Sequence, residues 1–218
     1  RNLGLPLLTR AELLGQLMKN YALPIAVSGT HGKTTTTSML SHVLLEGNLD
    51  PTISVGGILK AIGGNIRVGN GNVFLTEACE YTNSFLSFFP KVGIILNIEE
   101  DHLDFFKDLD DIRNSFHEFA KLLPAGGTLV INGDIPHVEQ ITDSLSCEVV
   151  TFGTSSCDYV PSNITYDEFG HPSFDLKGPD GKTRSYALRV PGLYNVYNAA
   201  AAVATAELLG IDAQIIRE

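Results

Sequence analysis

The sequence predicts an α/β fold: a mostly parallel P-loop-type sheet covered by helices on both faces, with a small antiparallel β excursion near 158–190. Three observations carry this. Apolar runs of strand length, such as Val92-Gly93-Ile94-Ile95-Leu96, are continuous rather than alternating, as in parallel strands buried on both faces. Segments with apolar residues at helical spacing alternate with those runs. The first run stops at a glycine-rich turn that opens a helix, the strand–loop–helix unit suited to binding phosphate.

Taken in order, Thr9 is an N-cap candidate for a helix over 10–19, and 1–20 reads as a connector into a strand at 24–28. A helix starts near Lys33 and stops at Gly47-Asn48, residues that tolerate a left-handed helix end. Asp50 to Val55 is a second strand ending at Gly56-Gly57, and Gly63, Gly64, Gly69 and Gly71 leave 58–72 to a loop or short hairpin. Val73–Glu77 and Val92–Ile98 are the third and fourth strands. Leu109, Ile112, Phe116 and Phe119 then keep helical spacing until Pro124-Ala125-Gly126-Gly127. Thr128–Asn132 is a fifth strand, Ile135–Leu145 a helix and Glu148–Phe152 a sixth strand. Asn163–Tyr166, Pro172–Leu176 and Ser185–Val190 are short, alternating and separated by Gly170, Gly178 and Asp180-Gly181, which predicts an antiparallel excursion on the edge of the main sheet. An alanine-rich helix runs from about Asn195 to Leu209.

Composition narrows the function. A chain of 218 residues that is 44% hydrophobic can bury a sizeable core. A net charge of −10 leaves no basic stripe to neutralise phosphates, which argues against a nucleic-acid or anionic-membrane surface. No apolar run approaches the roughly 18 residues needed to span a bilayer, and the residues before the first strand are not expected to be a signal peptide. Three cysteines in no metal-type spacing suit reduced thiols in a cytoplasm.

The chemistry concentrates where the loops after 28, 77 and 98 converge, at the carboxyl ends of the strands. Ser28-Gly29-Thr30-His31-Gly32-Lys33-Thr34-Thr35-Thr36-Thr37 departs from the usual G-x-x-x-x-G-K-[ST] pattern, because Val27 stands where the first glycine belongs and Gly29 comes two residues late. The stretch still reads as a nucleotide triphosphate cradle. Its glycines let main-chain N–H groups approach an anion, Lys33 can reach terminal phosphates and the Thr34 hydroxyl can ligate magnesium. A helix N-terminus contributes at most roughly 2 kcal/mol toward an anion, whereas micromolar binding needs about 8, so the lysine and metal belong to the reading. Glu77 ends an apolar strand and fits the acidic group that holds magnesium opposite the Thr34 hydroxyl, with Glu80 as a nearby substitute. His102 lies among carboxylates on the same rim, positioned for metal or substrate contact. Cys79 is flanked by glutamates that suppress a thiolate and reads as structural or substrate-adjacent, and His117 is expected to point outward from a helix. These residues alone also suit a P-loop kinase or NTPase of another class, although no Asn-Lys-x-Asp guanine signature is present.

Gly29 through Thr37, Glu77-Ala78-Cys79-Glu80, Asn97 through Asp104, and Gly192-Leu193-Tyr194-Asn195-Val196-Tyr197-Asn198 together resemble the central ATPase domain of the Mur ligases. His31, the run of threonines and Ser84-Phe85-Leu86 are most similar to the branch that joins L-alanine to UDP-N-acetylmuramate, with the branch that attaches murein tripeptide to the same sugar nucleotide as the alternative. The resemblance implies an ATP-dependent ligase of peptidoglycan synthesis working through an acyl phosphate. It implies that 1–20 is a linker from an amino-terminal domain and 21–218 the central domain, with a carboxyl-terminal domain beyond it. Gly29, Thr30, His31, Gly32, Lys33, Thr34 and Thr35 would hold the phosphates, Thr34 and Glu77 one magnesium ion, and Glu77 with His102 a second. Lys33, Glu77 and His102 would be catalytic, while Asn195 and Asn198 match asparagines that approach the adenine. The chain departs from the family pattern at Cys79, Tyr81 and Tyr194, and no lysine occurs between 108 and 120 to match the carbamylated lysine of sister ligases.

Overall fold

The computed structural model describes residues 7–154 and 156–217, so residues 1–6 of the expected connector lie outside the described residues. Helix α1 (Arg10–Met18) starts at Thr9, whose hydroxyl accepts the Glu12 N–H while the Glu12 carboxylate accepts the Thr9 N–H. There follow β1 (Leu23–Ser28), α2 (Lys33–Glu46), β2 (Thr52–Leu59), β3 (Gly64–Arg67), β4 (Val73–Glu77), β5 (Val92–Ile95) and α3 (Leu109–Ala120). The second half holds β6 (Thr128–Asn132), α4 (Glu139–Thr142), β7 (Glu148–Phe152), β8 (Val160–Tyr166), β9 (Pro172–Lys177), β10 (Thr183–Ala187), α5 (Tyr194–Leu208) and α6 (Ala213–Arg217).

Seven strands form one sheet in the order β3-β2-β4-β1-β5-β6-β7, parallel throughout except for the antiparallel β2–β3 pair. Strand alternation splits the core. Ile25, Val27, Leu75 and Ile94 face α2 and α5, whereas Ala26, Phe74 and Ile95 face α1, α3 and α4. The chain leaves β1 toward β2 on one side and later enters β5 on the other, so β1 sits at a topological switch point. On the second face Phe85, within the 3₁₀ segment Tyr81–Ser87, stacks on Phe119 at 4.8 Å and meets Phe116 edge-on.

Several expectations are corrected. The glycines at 56 and 57 do not end β2, which continues to Leu59 and turns back as a hairpin into β3. Strand β5 stops at Ile95 rather than Ile98, because Leu96 N–H donates to Ser28 and the Asn97 carbonyl accepts from Thr30, pairing the chain with the glycine loop. The helix expected over Ile135–Leu145 shrinks to α4: Pro136 and the left-handed His137 (φ 61°) delay its start, and Asp143 is extended. The antiparallel excursion is a separate sheet, β10-β9-β8, touching the main sheet by a single bridge from Phe152 to Tyr159 among the described residues. Its alternation gives one apolar face, with Phe174, Leu176 and Tyr186 buried against the α5 side. Helix α6 lies beyond the last helix that the sequence pattern predicts.

Candidate active site

The cradle follows from main-chain geometry. Gly29 (φ +140°) and Gly32 (φ +87°) adopt conformations that L side chains rarely enter, and Gly32 caps α2 with no side-chain hydrogen bond. The first N–H groups of α2 therefore face the loop without helical partners, at the positive end of the helix. Asn97 braces the loop: its Oδ1 accepts the His31 N–H at 2.7 Å and its Nδ2 donates to the His31 carbonyl at 3.0 Å. The Thr30 hydroxyl accepts the Glu99 N–H at 3.0 Å. Thus the loops after β1 and β5 are one unit.

Inside this unit the polar groups pair off. Lys33 Nζ donates to the carbonyls of Gly29 and Thr30 and lies 3.0 Å from Glu80 Oε2. Glu80 is only 2% exposed, and its other oxygen is 3.9 Å from His102 Nε2. The Thr34 hydroxyl donates to Glu77 Oε2 at 3.0 Å, and Glu77 also accepts the Gly56 N–H. A Cβ on Gly56 would lie 2.7 Å from Glu77 Oε2, so the glycine admits the carboxylate. Thr34 and Glu77 thereby offer two adjacent oxygen donors, the donor chemistry magnesium prefers. Among the described residues no three His, Cys, Asp or Glu side chains close on a common metal position.

His102 has a left-handed backbone (φ 53°), and its carbonyl accepts from Phe105 and Phe106, closing a turn anchored by buried Phe106. Tyr81 packs its ring 4.5 Å from the imidazole and donates its hydroxyl to Asp104 at 2.7 Å, which pushes the phenol pKa up by favouring the neutral form. Beside the cradle lies a cleft of about 360 Å³ lined by Asn97, Glu99, Asn132, Tyr194, Tyr197 and Asn198, among others. Its volume is within the range of small-molecule pockets.

Lys33, Thr34, Glu77 and His102 are thus gathered on one rim with Gly29 through Thr35, as the sequence suggests. His102 faces Glu80 rather than Glu77. Of the two asparagines on α5, Asn198 lines the cleft and Asn195 stands behind it, accepting from Asn198 Nδ2 at 3.0 Å and donating to Pro191 at 2.7 Å. Cys79 is exposed and free. His117 does not simply point outward: it is half-buried, its Nδ1–H donating to the Ile141 carbonyl at 3.0 Å. Sequence reasoning did not assign Asn97 a role. Its signal is a polar residue interrupting the apolar run Val92–Ile98, two residues past the end of β5.

Comparison with known proteins fits this arrangement. The Mur ligase middle domain matches residues 27–206. A UDP-N-acetylmuramate–L-alanine ligase of Lachnospira eligens is 56% identical over 216 residues, covering 98% of this chain and 47% of that protein. The solved UDP-N-acetylmuramate-alanine ligase of Thermotoga maritima superposes with a TM-score of 0.80 at 29% identity, over 94% of this chain and 46% of its own. The UDP-N-acetylmuramate:L-alanyl-γ-D-glutamyl-meso-diaminopimelate ligase of Neisseria meningitides gives 0.86 at 30% identity, over 99% of this chain and 70% of its own. The chain spans about half the length of the curated relatives it matches.

Proposed function

The chain belongs to the Mur ligase middle-domain family, and from that premise we propose that it is the ATP-binding core of a ligase joining L-alanine to the carboxylate of UDP-N-acetylmuramate. The observation that carries this reading is that the Lys33 ammonium, held by Glu80, and the Thr34–Glu77 pair stand together at the bare amino end of α2, beside a nucleoside-sized cleft. In this reading the γ-phosphoryl of ATP passes to the sugar nucleotide's carboxylate, giving an acyl phosphate and ADP. The amine of L-alanine then attacks the acyl carbon, phosphate leaves with the electrons of the broken C–O bond, and the amine gives up a proton as the amide forms.

This chain's residues position that chemistry. Main-chain N–H groups from Gly29 to Thr35 hold the phosphates, and the Lys33 ammonium offsets charge on the transferring group. Thr34 and Glu77 would hold one magnesium ion. Glu77 with His102 would hold a second, which requires the imidazole to turn from Glu80, the carboxylate it faces here. Magnesium, when bound, neutralises charge on the phosphate oxygens. Asn198, braced by Asn195, faces the cleft that takes the adenine ring. Residues 21–218 would be the central domain and 1–20 the linker from an amino-terminal sugar-nucleotide domain, in line with the half-length match to relatives. Three free thiols are consistent with a cytoplasmic site of action.

The test is calorimetry on this chain. Weak binding of Mg-ATP, no comparable binding of Mg-GTP and loss of binding in Lys33→Ala support the reading; preference for GTP overturns it. The higher TM-score to the diaminopimelate-peptide ligase of Neisseria meningitides keeps murein tripeptide as the second reading for the acceptor. Ligation by the whole protein with tripeptide instead of L-alanine would establish it.

A further inference from the structure

We propose that Glu80 is a positioning residue of this site, holding the Lys33 ammonium at the mouth of the cradle before a nucleotide arrives and keeping hold of it afterwards. The inference rests on the nucleotide reading above and assigns Glu80 a different role from that of a substitute metal ligand.

Glu80 is 2% exposed, and an ionised carboxylate in such a place needs a charged partner. Lys33 supplies it, with Nζ at 3.0 and 3.3 Å from the two carboxylate oxygens. An ammonium has three protons to donate, and here its partners are Glu80 and the carbonyls of Gly29 and Thr30. A phosphate oxygen reaching Lys33 must therefore displace one of them. The carbonyls are neutral acceptors, whereas the bond to Glu80 is charge-assisted and about twice as strong. Giving up Glu80 would also leave its carboxylate buried and uncompensated. The carbonyls yield and Glu80 stays.

Glu77, three residues earlier, is arranged otherwise. It is less buried and faces the Thr34 hydroxyl and the Gly56 N–H. The two glutamates thus divide the work, Glu77 presenting oxygen to a metal and Glu80 fixing a cation of the protein itself. Glu80 Oε1 also lies 3.9 Å from His102 Nε2, so one carboxylate sets the spacing between the two basic groups of the rim.

The experiment measures affinity for a non-hydrolysable ATP analogue on this chain, with and without magnesium, together with the ¹H–¹⁵N correlation of the Lys33 ammonium, assigned by its loss in Lys33→Arg. In the unmodified chain the ammonium signal is expected to persist and shift when the analogue binds. Glu80→Gln is expected to weaken the analogue about tenfold, equally with and without magnesium, and to broaden the ammonium signal away. Should Glu80→Gln fail to fold by circular dichroism, Glu80→Asp keeps the charge one methylene back and is expected to show a smaller loss of the same kind. Unchanged affinity overturns the proposal. So does a loss confined to magnesium-containing solution, the mark of a metal ligand, and so does a loss that leaves the ammonium signal in place, the mark of a structural role. No binding by the unmodified chain overturns the nucleotide reading and this inference with it.

Discussion

Gly32 carries more of the cradle than a residue without a side chain would suggest. Its φ of +87° is costly for any L residue, and a Cβ there would lie 2.5 Å from Asn198 Oδ1. Gly32→Ala should therefore lower stability by about 1–3 kcal/mol and remove most nucleotide affinity, because the displaced Asn198 is also a wall of the cleft. Gly63→Ala is the control: its φ is +68°, but its Cβ would meet open space in the turn between β2 and β3. Chemical denaturation and calorimetry on both variants check this, and equal nucleotide affinities would contradict it. That Lys33, Thr34 and Glu77 come to one rim is legible in the sequence, because residue type and place beside a strand or helix end suffice. The brace from Asn97 to His31 is not, since it joins residues 66 apart whose meeting depends on β1 lying beside β5.

Among the elements, the small sheet is held to the rest by side chains from α5. The Tyr159 hydroxyl donates to Glu207 Oε2 at 2.9 Å, and Arg184 Nη1 lies 3.6 Å from the same carboxylate. Burial and then that carboxylate push the Tyr159 phenol upward, while burial, with Glu207 adding to it, pushes Tyr186 up to about 12. The folded state thus favours neutral phenols. Their contribution is fully present below the ordinary tyrosine value of about 10 and is lost as pH rises through the folded values. Absorbance at 295 nm should show Tyr159 and Tyr186 among the tyrosines that ionise late, their late phase absent in Tyr159→Phe and Tyr186→Phe respectively and accompanied by loss of the β signal from this sheet. Tyr159→Phe should cost about 1 kcal/mol by removing one hydrogen bond to a carboxylate that keeps Arg184. Early ionisation of all tyrosines would contradict the argument. Alternation foretold these strands, but an alternating strand fits the edge of a sheet as well as a sheet of its own. The alanine-rich surface of α5, against which Phe174 and Leu176 bury, made the difference.

On the scale of the whole molecule, a ligand that bridges the loops after β1, β4 and β5 adds its binding energy to the stability of the entire fold. At about a hundred times its dissociation constant, Mg-ATP should add about 2.7 kcal/mol. For a domain of this size that is a rise in Tm of about 5–10 °C, absent with Mg-GTP and in Lys33→Ala. Differential scanning calorimetry decides it; equal shifts with both nucleotides would contradict the ATP reading. What the sequence by itself determined is the class of fold, the strands of the parallel sheet and the cradle, because each follows from local periodicity and from contiguous residues of distinctive chemistry. Tertiary structure alone decided that Glu80 rather than Glu77 meets Lys33 and His102, that Asn198 closes on Gly32, and that the small sheet stands apart. Those outcomes depend on which strands become neighbours and which carboxylate is left without water, and burial is a property of the assembled chain.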